Sequence, residues 1–177
     1  MTEELETLKR VVDKLEIGQF NYLLTGSMAM SFYSVPRMTR DSDIVIQLFE
    51  NQISRFIELF EEEFYTDRYM LEDSLKNQIM FNIFDKKTFF KIDFILKTDD
   101  FYDNVKFDRK KKLKINGLDI YVISIEDLII SKLMWARDSF SEMQLTDIRE
   151  LLKIGCDIDY VNEWVTKLDL KEIYIRI

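Results

Sequence analysis

Between Asn21 and Leu48 the chain changes its local habit three times, and no other stretch limits its fold so tightly. Asn21-Tyr-Leu-Leu-Thr25 is short and largely apolar, the mark of a buried strand. Gly26-Ser27 ends it, and a short helix is expected from Met28 to about Tyr33. Pro36, the only proline, cannot continue that helix and breaks it before Arg37. Asp43-Ile-Val-Ile-Gln-Leu48 then resumes as a second strand.

The rest of the chain supplies partners for these two strands. Leu5, Leu8, Val11, Val12 and Leu15 recur at helical spacing, and Gly18 closes the helix they define. A helix from about Gln52 to Glu63 carries Ile53, Phe56, Ile57 and Phe60 on one face, and a short one is expected near Tyr69–Leu75. Gln78–Phe84 and Thr88–Leu96 read as a hairpin across Asp85-Lys86-Lys87. Within its second strand Phe90, Ile92, Phe94 and Leu96 share one parity, so Asp93 points to the other face with Lys91 and Ile95. The aromatics Phe81, Phe84, Phe89, Phe90 and Phe94 are expected in the core. Arg109–Ile115 and Leu118–Ile123 form a second hairpin, joined by Asn116-Gly117, whose residue types suit the positive-φ positions of a type I′ turn. Ser124 and Ser141 open helices over about 125–137 and 142–154; Ser141 with Gln144 has the capping-box pattern. A last helix or two occupies the C-terminus. The fold class is therefore α+β: a mixed sheet flanked by helices over residues 1–123, with a helical portion, 124–177, packed on it as one compact unit.

Composition narrows the chemistry. The chain has no histidine and one cysteine, Cys156. Ser-His-Asp and Cys-His nucleophiles, histidine-bound zinc and an internal disulfide are all excluded. Acid–base or metal chemistry must come from carboxylates, lysines, tyrosines or hydroxyls. With 47% hydrophobic residues in 177, a core forms without cross-links. The acidic N-terminus lacks the basic and apolar regions of a signal peptide, and no apolar run is long enough to span a bilayer; a cytoplasmic location and no membrane partner are expected. The net charge of −8 disfavours broad nucleic-acid binding but leaves room for a nucleotide, or for RNA held by a local basic patch.

Gly26 lets the backbone approach a ligand closely, and the N–H groups after Ser27 suit an anion such as a triphosphate. Asp41 and Asp43, two apart at the mouth of a strand, project toward the same side. Carboxylates held together repel unless a cation sits between them, and hard oxygen donors favour Mg²⁺. Asp93, on a neighbouring strand, would complete a three-carboxylate site. Arg37 and Arg40 flank the acids, either as charge balance or, for Arg37, as a phosphate contact.

Gly-Ser, then Asp-x-Asp before an apolar strand, then a later Asp inside another strand, resembles the signature of the DNA polymerase β-like nucleotidyltransferases. Pro36 to Asp43 (Pro-Arg-x-Thr-x-Asp-x-Asp), which includes Thr39, is similar to minimal bacterial members that include abortive-infection and toxin–antitoxin toxins. Asp127-Leu-Ile-Ile-Ser-Lys-Leu133 and Gln144-Leu-Thr-Asp-Ile-Arg149 resemble two helices of that group. The resemblance implies a nucleotidyltransferase fold and Mg²⁺-dependent transfer of a nucleotidyl group from an NTP to a hydroxyl. Asp41 and Asp43 would hold the metals. Asp93 would hold the second and orient the hydroxyl; Lys132 would contact the triphosphate, and Thr39 and Asp147 would lie at the rim. Ser42 stands where the superfamily more often has an apolar residue.

The acceptor is open at this level: RNA or tRNA, a protein, or a small molecule. The basic run Lys106–Lys114 is either a solvated face or a grip for RNA. An antitoxin protein is the partner that a toxin role implies. Two other readings use the same residues: a non-catalytic nucleotide-binding or assembly module on this fold, and a structural partner protein that binds no nucleotide with Mg²⁺.

Overall fold

The computed structural model describes residues 2–34, 41–115, 117–139 and 141–177. The expected helix stop at Pro36, the candidates Arg37 and Thr39, neighbouring Arg40, and Asn116 of the second hairpin turn lie outside the described residues. Among the described residues, seven strands form one sheet. They are β1 (Asn21–Thr25), β2 (Asp41–Gln47), β3 (Phe64–Tyr65), β4 (Phe81–Asp85), β5 (Lys91–Leu96), β6 (Lys111–Ile115) and β7 (Leu118–Val122). Their order is β3-β4-β5-β2-β1-β7-β6. β2 pairs antiparallel with β1 and parallel with β5, and β1 pairs parallel with β7, so the sheet is mixed as expected.

Helices cover both faces. On one lie α1 (Glu3–Ile17) and α3 (Ile53–Phe60). Leu8, Val11, Val12 and Leu15 of α1 are fully or almost fully buried, each contributing about 1.5–3 kcal/mol of apolar burial. Phe56 of α3 meets Phe81 of β4 and Phe94 of β5 edge-on, with ring centroids 5.6 and 5.4 Å apart. On the other face lies α6 (Ile125–Ser139), followed by α7 (Glu142–Ile154), α8 (Ile158–Lys167) and α9 (Lys171–Tyr174). The shorter α2 (Gly26–Met30), α4 (Arg68–Asn77) and α5 (Phe101–Asp108) connect strands. Among the described residues no helix is long and apolar enough to cross a membrane.

Several expectations need correction. α2 begins at Gly26, not Met28, because the turn is made within Gly26 itself at φ +66°. β2 begins at Asp41, not Asp43, since Asp41 pairs in register with Lys91. β3 and α5 were not anticipated: β3 has two residues, and α5 buries only Tyr102 and Phe107, too sparse for a periodic signal. Ser141 makes no side-chain cap, and the Gln144 side chain, the other half of the expected capping box, accepts from Lys132 instead. Phe84 and Phe89 are exposed, not core. Phe84 has the outward parity of β4, and Phe89 takes φ +58° in the hairpin turn and stacks on Tyr65.

Two buried carboxylates tie the layers. Asp127 accepts from Ser124 Oγ (2.6 Å), Tyr160 Oη (2.8 Å), Tyr102 Oη (3.1 Å) and Arg109 Nε (3.1 Å), joining α5, α6 and α8. Asp85 accepts from Thr7 Oγ1, Thr88 Oγ1, Arg10 and the Lys87 N–H. Burial pushes the Asp85 carboxyl up, but these four donors outweigh it and hold it at about 2. Because this lies below its ordinary value of 3.8, the stabilisation is present above about pH 4 and is lost as pH falls through about 2. Asp85→Asn should cost about 2–3 kcal/mol at pH 7. Chemical denaturation should show that deficit shrinking steadily between pH 4 and 2; a pH-independent deficit would mean that the carboxylate's charge is immaterial.

Candidate active site

Strand register places the acids before any side chain is considered. Thr25 of β1, Asp43 of β2, Asp93 of β5 and Asn82 of β4 are successive register partners across the sheet. Asp41 and Lys91 form the next pair along β2 and β5. Side chains two apart on a strand share a face, so Asp41, Asp43, Lys91 and Asp93 all project to the side that α6 covers. Ile92 and Phe94, of opposite parity, face the aromatic cluster. Ser42 shares that inward parity; it is fully buried and its Oγ has no hydrogen-bond partner among the described residues.

Gly26 brings the β1–α2 turn against this row. A Cβ built on it would stand 1.9 Å from Asp43 Oδ2 and 2.8 Å from Asp43 Cγ, and its φ of +66° is one that L side chains rarely adopt. Glycine is needed there on both counts. Above the row lies a cleft of about 180 Å³, floored by Thr25, Gly26, Ser27, Asp43 and Ile95. Its wall is α6, where Leu128, Ser131, Lys132 and Trp135 fall at helical spacing, with Gln144 of α7 beyond.

Lys132 is 3% exposed. Its ammonium donates to Asp147 Oδ2 at 2.7 Å and to Gln144 Oε1 at 3.0 Å. Asp147 is buried, and the structure places it behind Lys132 as its ion-pair partner; it does not line the cleft. Burial first, then the charges of Asp41 and Asp93, push the Asp43 carboxyl up to about 6, against the opposing pull of Lys132 and Lys91. Among the described residues no three acidic, cysteine or histidine side chains are gathered closely enough to hold a metal ion as they stand. Lys91 stands among the acids: its Nζ is 2.6 Å from Asp93 Oδ2 and 3.7 Å from Asp41 Oδ2.

The donor set nevertheless suits a hard divalent cation. It offers carboxylate oxygens on one face and one carboxyl raised by burial and by its neighbours' charge. Asp93 Oδ1 is buried with no hydrogen-bond partner among the described residues, a lone-pair site that a cation would satisfy.

The structure thus brings together Gly26, Ser27, Asp41, Asp43, Asp93 and Lys132. It does not gather the basic run. Lys106 pairs with Asp103, Arg109 with Asp127 and Glu126, and Lys110 reaches Asn21; only Lys111, Lys112 and Lys114 are exposed, on edge strand β6. That strand is three spacings from β2, about 14 Å. Sequence reasoning missed Thr25, Ser131, Trp135, Gln144 and Lys91 as site residues. For Ser131 and Trp135 a signal was available, since both fall on the Lys132 face of one helix.

The family model for nucleotidyl transferases of unknown function (DUF2204) matches residues 4–175. No curated protein matches the chain. Among solved structures it is similar to ANT(2'')-Ia in complex with adenylyl-2''-tobramycin, with TM-score 0.63 and 11% identity over 98% of this chain and 99% of that one. It is similar to an antigenic nucleotidyltransferase-like protein from Paracoccidioides brasiliensis, with TM-score 0.59 and 18% identity over 97% and 92%. It is also similar to lincomycin-bound LnuA, a lincosamide antibiotic adenylyltransferase, with TM-score 0.56 and 15% identity over 88% and 99%. At such identities the likeness is one of fold.

Proposed function

The chain belongs to this nucleotidyl transferase family, and from that premise we propose that it moves a nucleotidyl group from an NTP to a hydroxyl acceptor in a Mg²⁺-dependent reaction at the Asp41–Asp43–Asp93 face. The observation that carries this is the placement of Asp43. It sits half-buried on a cleft floor, in register with Asp93 and two residues from Asp41, where burial and their charge raise its carboxyl, the environment that functional carboxylates are given.

The acceptor oxygen attacks the α-phosphorus as the bond from that phosphorus to the β-bridging oxygen breaks, and pyrophosphate leaves. The hydroxyl proton passes to Asp93, whose Oδ2 is tied to Lys91. Lys132, fixed by Asp147 and Gln144, supplies positive charge for the β- and γ-phosphates, and the Gly26-Ser27 turn lets them approach the backbone. Magnesium, held by Asp41, Asp43 and Asp93, would polarise the α-phosphate and offset charge on the leaving oxygen. Thr39 and Arg37, which flank the acids in sequence, belong to the same proposal as rim and phosphate contacts. For the acceptor, the split basic run favours a small molecule or a protein over RNA. A toxin role with an antitoxin partner is compatible with any of these acceptors.

Incubation with α-labelled NTP and Mg²⁺ tests this directly. Wild type should transfer label and Asp41→Ala/Asp43→Ala should not. Equal transfer by both ends the proposal; nucleotide binding without transfer to any acceptor would indicate a binding module instead. The role of Lys132 has its own test. Lys132→Met combined with Asp147→Leu removes both members of the buried pair, so neither is left without the other. NTP affinity, read by calorimetry, should fall about 10- to 100-fold, the worth of a charge-assisted hydrogen bond. Unchanged affinity would confine the pair to a structural role.

A further inference from the structure

Lys91 lies among the acids without any role in the chemistry above beyond tying down one oxygen. Two facts of the sheet put it there. It is the register partner of Asp41 across β2 and β5, and it is two residues before Asp93 on one side of β5. Its ammonium therefore reaches both acids, at 3.7 and 2.6 Å. The two ends of the contact differ in burial: the Lys91 side chain is 34% exposed, the Asp93 side chain 6%. A lysine so placed is free to extend its stem toward water; here it turns to a carboxylate whose other oxygen is buried and unpartnered among the described residues. Buried carboxylates persist when a cation compensates them, and Lys91 is that cation.

We propose that Lys91 is a built-in monovalent counter-cation of the carboxylate row: its ammonium takes one oxygen each of Asp41 and Asp93, so the chain takes one divalent ion, centred on Asp43 and shared with those two acids, where a site without the lysine would take two. This rests on the metal-dependent reading above and refines it. A single tight ion leaves the row's charge partly neutralised before any nucleotide arrives. It also makes Lys91 a positioning residue, fixing Asp93 Oδ2 and leaving Oδ1 as the open acceptor.

The test counts ions without requiring turnover. Mn²⁺ is titrated into wild type, Lys91→Met and Lys91→Gln, with stoichiometry and affinity read by calorimetry and by the electron paramagnetic resonance of free Mn²⁺. Wild type should bind one ion per chain. Both variants should bind a second, or the first about tenfold tighter, because a positive charge has left the row. Melting in EDTA supplies an independent readout: the variants should melt lower than wild type, and Mn²⁺ should raise them by more. Lys91→Gln keeps a hydrogen-bond donor for Asp93 and so covers the case in which Lys91→Met fails to fold. Two ions in wild type, or the same number and affinity in all three proteins, would overturn the role of Lys91 while leaving the metal reading intact. No ion in any of them would overturn the metal reading, and this inference with it.

Discussion

Asp43→Asn is expected to abolish nucleotidyl transfer and, in EDTA, to stabilise the fold. The two effects share one cause. Burial and the charges of Asp41 and Asp93 lift the Asp43 carboxyl from its ordinary 3.8 to about 6 in the folded protein. A carboxylate raised on folding is bound more tightly to its proton in the native state, so its ionisation at neutral pH works against folding. The full shift would correspond to about 3 kcal/mol; with the site open to solvent on one side, about 1–2 kcal/mol is the reasonable share. The amide keeps the shape and removes the charge. Melting at pH 7 should rise by a few degrees, at about 2–4 °C per kcal/mol for a domain of this size. The gain should disappear near pH 4, where the wild-type carboxyl is protonated too. Transfer should fall by about 10³-fold or more, since a neutral amide neither repays a cation nor balances its charge. A variant less stable at pH 7 would mean that Asp43 is held by structural partners. A variant that still transfers label would remove it from the chemistry.

Gly26→Ala is expected to cost nearly as much activity by a different route. The added methyl would fall 1.9 Å from Asp43 Oδ2, an approach that no real contact tolerates, and 3.0 Å from Asp43 Cβ. Either the carboxylate turns away or the β1–α2 turn opens. The backbone must also hold a β-carbon at φ +66°, which adds about 1–2 kcal/mol. Transfer should drop at least 100-fold, a scale set by the roughly 1 Å misplacement that such a shift imposes on a reacting group. Melting should fall by several degrees. Gly117→Ala is the control: its φ is also positive, at +84°, yet nothing lies within 4 Å of the added carbon. It should cost stability alone. If the two variants lose activity equally, backbone strain and not the Asp43 contact governs the first.

The floor of the site was legible in the sequence because its geometry is set by strand parity. Asp41 and Asp43 two apart, and Asp93 opposite in parity to Phe94, suffice to put all three on one face once β2 and β5 pair in register. The cleft wall was partly legible, since Lys132 carried a family resemblance while Ser131, its neighbour in sequence, and Trp135, three residues on along the same helix, went unread. What local pattern cannot contain is the pairing itself. Nothing near Lys91 announces that Asp41, fifty residues earlier, will be its cross-strand neighbour. Asp147 reads locally as a rim residue or as an ion-pair partner of Arg149 or Lys132; its burial against Lys132 depends on how α6 and α7 pack. The division of Lys106–Lys114 is hidden from local pattern for the same reason. A charge run looks continuous in sequence, but a helix end at Asp108 and three separate carboxylate partners divide it. Ser42 was noted as a departure, and its burial on the core face accounts for the apolar residue more often found there.

A crystal structure of the protein with Mg²⁺ and a non-hydrolysable NTP puts the central claim to its most direct trial. A cation coordinated by Asp43 and an α-phosphate oxygen, with the β- and γ-phosphates between the Gly26-Ser27 turn and Lys132, is the expected result. Nucleotide bound elsewhere, or bound in the cleft with its α-phosphate remote from Asp43 and Asp93, would contradict it.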